Sequence, residues 1–201
     1  NLMHLVSRSW LEGFHYKPRI DKKLLYGHTD GLVALSACVA GEIPRTLLGT
    51  NRLITGGGTF DDAIAIAREY QSLFPDRFYL EVQANSLPDQ AIVNTKILEL
   101  SDATGIPLVA TNDCHYLNAG DVEAHDILLC IQTQAKVDDA KRFRFEAKDL
   151  YYKSEEEMRA LFPDHPELLA ATKEVADMIE EYELDSPPIM PKFPIPESFG
   201  T

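Results

Sequence analysis

Cysteine is scarce in this sequence of 201 residues: Cys38, Cys114 and Cys130 are the only three. No two of them stand in a Cys-x-x-Cys spacing, which excludes a thiol-rich metal knuckle. An odd, sparse count in apolar contexts also excludes a disulfide framework and points to a reducing, cytoplasmic setting. Positive charge is short as well, with 19 Lys and Arg against 32 Asp and Glu and a formal net charge of -13. The imbalance grows along the chain: residues 151–201 hold four basic side chains against twelve acidic ones. Unless basic residues cluster locally, such a surface is repelled by a phosphate backbone, so non-specific nucleic-acid binding by this chain alone is not expected. Long hydrophobic runs are missing too. The longest strongly apolar stretch, Leu32 to Ala40, is too short to span a bilayer, and no basic-then-apolar leader opens the sequence. No membrane role is expected.

What is present reads as an α/β protein. "NLMHLVSRSWLEG" puts Leu2, Leu5, Val6 and Trp10 on one helical stripe closed by Gly13. The sequence thus starts inside a helical pattern and reads as a segment of something longer. "GLVALSACVAGEIP" is a continuous apolar run and predicts a buried strand. A glycine loop, "TGGGT", precedes a strong helix capped by Thr59, with Asp61 and Asp62 at its positive end. "FYLEVQ" alternates as a strand, with Phe78, Leu80 and Val82 on one face and Tyr79, Glu81 and Gln83 on the other. Pro88 opens the next helix and Gly105 stands beyond its end. Helix and strand in alternation predict a parallel sheet or barrel with helical cover. Mostly helices follow from about residue 120, one opened by a Ser154–Glu157 capping box and one by Pro166. The last stretch, "DSPPIMPKFPIPESFGT", reads as an extended proline-rich linker.

Residues 107 to 116, "PLVATNDCHY", carry the most suggestive chemistry. A buried strand ends at a turn pair, and alternation puts Asp113 and His115 on one side with Cys114 on the other. A carboxylate beside an imidazole is a metal site, an acid–base pair or a structural ion pair. In parallel α/β architectures reactive groups gather at the carboxyl ends of strands. There Cys38, Glu81, Asp113 and His115 would converge, a mixed N/O/S set that suits zinc, manganese or iron. Each has a plainer reading: Cys38 as a small buried hydrophobe, Glu81 as a solvated strand residue, Asp113 as a turn cap and His115 as a core histidine. His125 lies near the rim or on a helix surface. Lys17 and Arg19 in "YKPRID" are candidates for a phosphate contact or members of a surface turn. "TGGGT" lacks the Lys-Ser/Thr of a phosphate loop.

"GLVALSACVAGEIP", "FYLEVQ", "PLVATNDCHYL", "AHDILLCIQT", "YYKSEEEM" and "MPKFPIP" follow one another in an order that resembles one family. It is the polymerase-and-histidinol-phosphatase (PHP) domain that opens bacterial DNA polymerase III alpha subunits, and the resemblance covers essentially the whole chain. It implies part of a distorted seven-stranded β/α barrel, followed by helices and the linker. Residues 1–185 would be the C-terminal portion of that domain and residues 186–201 the linker towards the polymerase palm. By position, Cys38, Asp113 and His115 match metal ligands of the family, with Glu81 and His125 in support around them. The cofactor implied is a divalent metal, zinc or manganese. Further ligands are expected upstream of Asn1, so the centre would be incomplete in this segment, which alone should be inactive. No catalytic residue of DNA polymerisation is expected here.

The function implied is that of a metal-dependent phosphoesterase of proofreading type within a replicative DNA polymerase. The alternative is a non-catalytic barrel that docks the proofreading exonuclease subunit. Implied partners are the palm of the same chain and that exonuclease, with DNA and nucleotides reached only through the parent protein. The acidic balance makes one expectation independent of the resemblance. Fluorescence-anisotropy titration of single- or double-stranded DNA at about 150 mM salt should give no dissociation constant as tight as micromolar.

Overall fold

A computed structural model describes residues 1–183, 185 and 187–191, and the proline-rich linker at 186–201 lies largely outside the described residues. The first helix, α1 (Leu2–Leu11), forms as its periodicity predicts, yet buries only Leu5 and Ser9 and leaves Leu2, Val6 and Trp10 exposed. A short helix, α2 (Lys22–Leu25), follows, with the Asp21 side chain accepting from the Leu24 N–H.

The run "GLVALSACVAGEIP" does not form one long strand. β1 is only Ala34–Leu35, the chain turns through Ala37 at φ 66, and α3 (Glu42–Leu47) begins after Gly41. Two local features explain the correction. Glu42 sits at the positive end of the helix, and Pro44 falls in the first turn, where its missing N–H costs nothing. Ile43, expected on the strand, is buried from a helix instead, together with Leu47 beyond the run.

The next helix, α4 (Phe60–Leu73), carries a complete capping box between Thr59 and Asp62. Beyond it run β2 (Phe78–Gln83), α5 (Pro88–Thr104) and β3 (Leu108–Thr111). The α5 boundaries are those its sequence dictates, with Pro88 in the first turn and Gly105 left-handed at φ 70. Among the described residues the three strands form one parallel sheet in the order β1-β2-β3. Ala34 stands opposite Phe78, and Leu80 opposite Leu108. This is a mixed α/β fold with a small parallel sheet and many helices.

β2 is buried along its whole length. Phe78, Leu80 and Val82 join Ala63 and Ala67 of α4 and Val93, Ile97 and Leu100 of α5 in the main core. The other face, Tyr79, Glu81 and Gln83, is buried as well, so the solvated reading of Glu81 does not hold. Beyond β3 come α6 (Val122–Thr133), α7 (Glu155–Leu161) and α8 (Pro166–Asp177). α8 closes the open edge of the sheet: Leu168 is buried, and Thr172 Oγ1 donates to the Ala110 carbonyl at 2.6 Å. None of the described helices is long and apolar enough to cross a membrane.

The loop before α4 requires glycine. Gly57 has φ 85, and a Cβ there would lie 1.9 Å from the Gly49 carbonyl oxygen. A left-handed non-glycine residue costs about 1–3 kcal/mol before any clash. Gly57→Ala is therefore expected to lower the unfolding free energy measured by urea denaturation by at least that amount, whereas Gly56→Ala, with open space at its Cβ, should show the conformational cost alone.

Candidate metal-ligand rim at the carboxyl end of the sheet

The parallel sheet sends the ends of β1, β2 and β3 to one rim. β3 delivers Asn112, Asp113, Cys114 and His115 there, and the structure brings Asp113 and His115 together, with His115 Nε2 lying 3.2 Å from Asp113 Oδ1. Both side chains are about 30% exposed (29% for His115, 31% for Asp113), so the pair faces solvent without being free of the protein. Cys114 turns elsewhere, its Sγ 3.8 Å from the Tyr151 carbonyl. Desolvation raises the Cys114 thiol, Lys153 opposes the rise and Asp113 adds to it. A raised thiol keeps its proton and is a weak nucleophile or ligand.

His125, on α6, stands beside the pair with its ring centroid 5.7 Å from that of His115. Phe145 packs against both, at 4.6 Å from His115 and 5.5 Å from His125, so one face of the imidazole pair is apolar. A cavity of about 270 Å³ opens next to this group, lined by His125, Phe145, Arg144, Lys148, Glu123 and Asp126 among others. The Asp126 carboxylate is held by Arg142 at 2.6 Å, which pulls its pKa below the usual carboxylate range, with the hydrogen bond itself as the main cause. Asp126 is thereby committed to the protein and is not a spare ligand.

Glu81 lies deeper, 8% exposed. Its Oε1 accepts from Gln83 Nε2 at 2.8 Å and from the Thr111 hydroxyl, while its own N–H donates to Ser36 Oγ at 2.8 Å. Thr111 is two residues before Asp113, so Glu81 braces the strand that carries the pair. The sequence suggested a supporting part for Glu81, and this is the contact by which it reaches the rim.

Cys38 follows β1 at the same end of the sheet, in a turn and partly buried. Among the described residues no three or more His, Cys, Asp or Glu side chains form a group that could hold a metal ion. Cys38 is thus not gathered with Asp113 and His115, and two donors alone do not make up a metal site. Lys17 and Arg19 are not part of this rim either. Lys17 bridges back to His15, and Arg19 lines a separate open pocket with Arg8, Glu12, Asp21 and Lys23.

Two residues that the sequence reading did not single out matter here. Asn112 donates from Nδ2 to the Tyr151 carbonyl at 2.9 Å, and the buried Lys153 reaches Asn112 Oδ1 at 3.4 Å. Their only signal was the adjacency of Asn112 to Asp113. The contact spans some forty positions, which no local pattern reveals.

Removing the acceptor at Glu81 should expose how much this brace contributes. In Glu81→Leu the Gln83 amide and the Thr111 hydroxyl lose a buried acceptor, at a cost of about 1–3 kcal/mol. Chemical denaturation is expected to show that loss, with Glu81→Gln closer to the parent because it keeps one carbonyl acceptor.

Residues 1–85 match the PHP domain family model. Over the whole chain the sequence is 43% identical to the DNA polymerase III subunit alpha of Borreliella burgdorferi and 39% identical to that of Treponema pallidum. It is 41% identical, over 98% of the chain, to that of Thermus aquaticus. The chain spans only about a sixth of these curated relatives, 17% of the first two and 16% of the third. Cys38 and Glu81 fall inside the matched PHP residues, while Asp113 and His115 fall beyond them but within the stretch aligned to the relatives. Residues 1–85 are thus similar to the PHP domain, and the full length of the chain aligns with one segment of these DNA polymerase III alpha subunits.

Proposed function

We propose that this segment works inside a replicative DNA polymerase III alpha chain, as the C-terminal portion of a PHP domain. In that setting its three parallel strands are part of a larger β/α barrel. Asp113 and His115 are the two ligands it offers to a divalent metal centre, zinc or manganese, completed by other parts of the polymerase chain. The observation that carries this reading is the meeting of the Asp113 carboxylate and the His115 imidazole at the carboxyl end of β3, within 3.2 Å and partly exposed. That is where parallel α/β folds place their reactive groups. A purely structural ion pair is the competing explanation, and the aromatic packing of His115 against Phe145 and His125 suits either.

Within such a centre the protein's own contribution is positional. Glu81 and Thr111 fix the end of β3, and Phe145 covers one side of the imidazole. The reaction class that fits is hydrolysis of a phosphoester by the proofreading-type activity of PHP domains, in a cytoplasmic bacterial replicase. DNA and nucleotides would reach it through the parent polymerase rather than through this acidic surface. A second reading is favoured by the net charge of -13 together with the absence of a three-ligand group among the described residues. It is a non-catalytic scaffold that docks a separate exonuclease subunit.

Asp113→Asn in the intact polymerase chain separates the two. The change replaces an anionic oxygen donor by a neutral amide while preserving shape. Elemental analysis of purified protein is expected to show metal content falling well below the parent, with nucleotide incorporation retained. A folded, metal-loaded Asp113→Asn protein with unchanged content would refute the ligand assignment and leave the scaffold reading. Cys114→Ser, one position away and facing Tyr151, should keep its metal.

A further inference from the structure

The segment Asp149–Lys153 crosses the end of β3 as a strap, and most of its polar contacts go to the stretch that carries Asp113 and His115. The His115 N–H donates to the Leu150 carbonyl at 2.8 Å, and the Tyr152 N–H donates to the Tyr116 carbonyl at 3.1 Å. The Leu150 N–H donates to the Tyr116 hydroxyl, also at 3.1 Å. Asn112 Nδ2 adds a bond to the Tyr151 carbonyl. The far end of the strap is tied to the loop after β2, where Asp149 Oδ1 accepts from the Ser86 N–H at 3.1 Å and the Ser86 hydroxyl at 2.8 Å. The rim of the sheet is therefore bound together by five residues that are remote from it in sequence.

Lys153 sits where these contacts meet and is only 8% exposed. Its ammonium donates to the Asp149 carbonyl and to Asn112 Oδ1, and lies 4.6 Å from the centre of the Tyr151 ring. A buried ammonium whose donors are turned to a carbonyl, an amide and an aromatic face is not a charge held ready for a phosphate. Its effect falls on Asn112 instead. The oxygen of that amide accepts a hydrogen bond from the lysine while its nitrogen donates to the Tyr151 carbonyl. Both ends of the side chain next to Asp113 are thereby held.

We propose that Lys153 is a positioning residue: acting through Asn112, it fixes the backbone from which Asp113 and His115 reach one another. The inference rests on that pair being the working part of the segment, but the geometry is testable by itself. The experiment uses the intact polymerase chain carrying Lys153→Met, which keeps the length and the apolar stem and removes the donors. Carbethoxylation of His115 is followed by mass spectrometry, with His165 at the start of α8 as internal reference. Amide exchange is followed on the peptide spanning residues 112–117. Both His115 modification and exchange are expected to rise severalfold while His165 stays constant. Lys153→Arg should restore both towards the parent. Asn112→Ala should reproduce the effect, and adding Lys153→Met to it should change nothing more, because the two act as one unit.

Unchanged reactivity of His115 in Lys153→Met, or additive effects in the double variant, would overturn the proposal. Should Lys153→Met unfold the chain, seen as a parallel rise at His165, Asn112→Ala decides alone, and an unaltered His115 there overturns it equally. Both readouts are taken on chelator-treated, metal-free protein, so they stand apart from the metal content of Asp113→Asn, which tests the assignment of the pair.

Discussion

The burial of β2 on both faces is the constraint from which the rest of the structure follows. A strand covered on one side by α4 and α5 can present Phe78, Leu80 and Val82 to an ordinary apolar core. The other side holds Tyr79, Glu81 and Gln83, and burying a carboxylate there is costly without partners. Thr111 and Ser36, from the two neighbouring strands, supply those partners to Glu81. The register of the sheet is thereby set twice, by backbone pairing and by a buried polar network. Slipping β2 by one residue would turn Glu81 towards the core formed with α4 and α5.

That register has a consequence at the rim. Because β3 is locked beside β2 through Thr111, the residues that follow it leave the sheet from a fixed point. Asp113 and His115 then meet, and the strap Asp149–Lys153 closes over them from the distal part of the chain. Rigidity at this place comes from hydrogen bonds and from the aromatic contacts of His115 and His125 with Phe145, rather than from depth of burial. A pair held in this way is partly exposed and yet well placed, a combination that suits a site intended for something outside the segment.

Much of the fold was legible where local chemistry decides it. The Thr59 capping box, Pro88 and Gly105 around α5, the Ser154–Glu157 box and the alternation in β2 all fall where the residues say they should. The failures came where tertiary contacts override local pattern. The apolar run Gly31–Pro44 predicts one strand, but Gly41, Glu42 and Pro44 favour a helix start, and Ile43 and Leu47 bury from that helix. Glu81 looked solvated because alternation cannot tell whether the second face of a strand is covered. At the site, the Asp113–His115 pairing was visible from spacing alone. The exclusion of Cys38 from it was not, since that depends on where the turn after β1 carries the chain. Asn112 and Lys153 were invisible for the same reason.

Along its length the chain aligns with DNA polymerase III alpha subunits, and its geometry adds a braced carboxylate–imidazole pair on an acidic body. The most direct measurement is anomalous scattering from crystals of the intact polymerase chain grown with zinc or manganese. The account predicts a metal peak with His115 nitrogen and Asp113 oxygen both within about 2.0–2.2 Å. A peak elsewhere on the chain, or none, with His115 still bonded only to Asp113 and packed on Phe145, would contradict it and leave the pair as a structural ion pair.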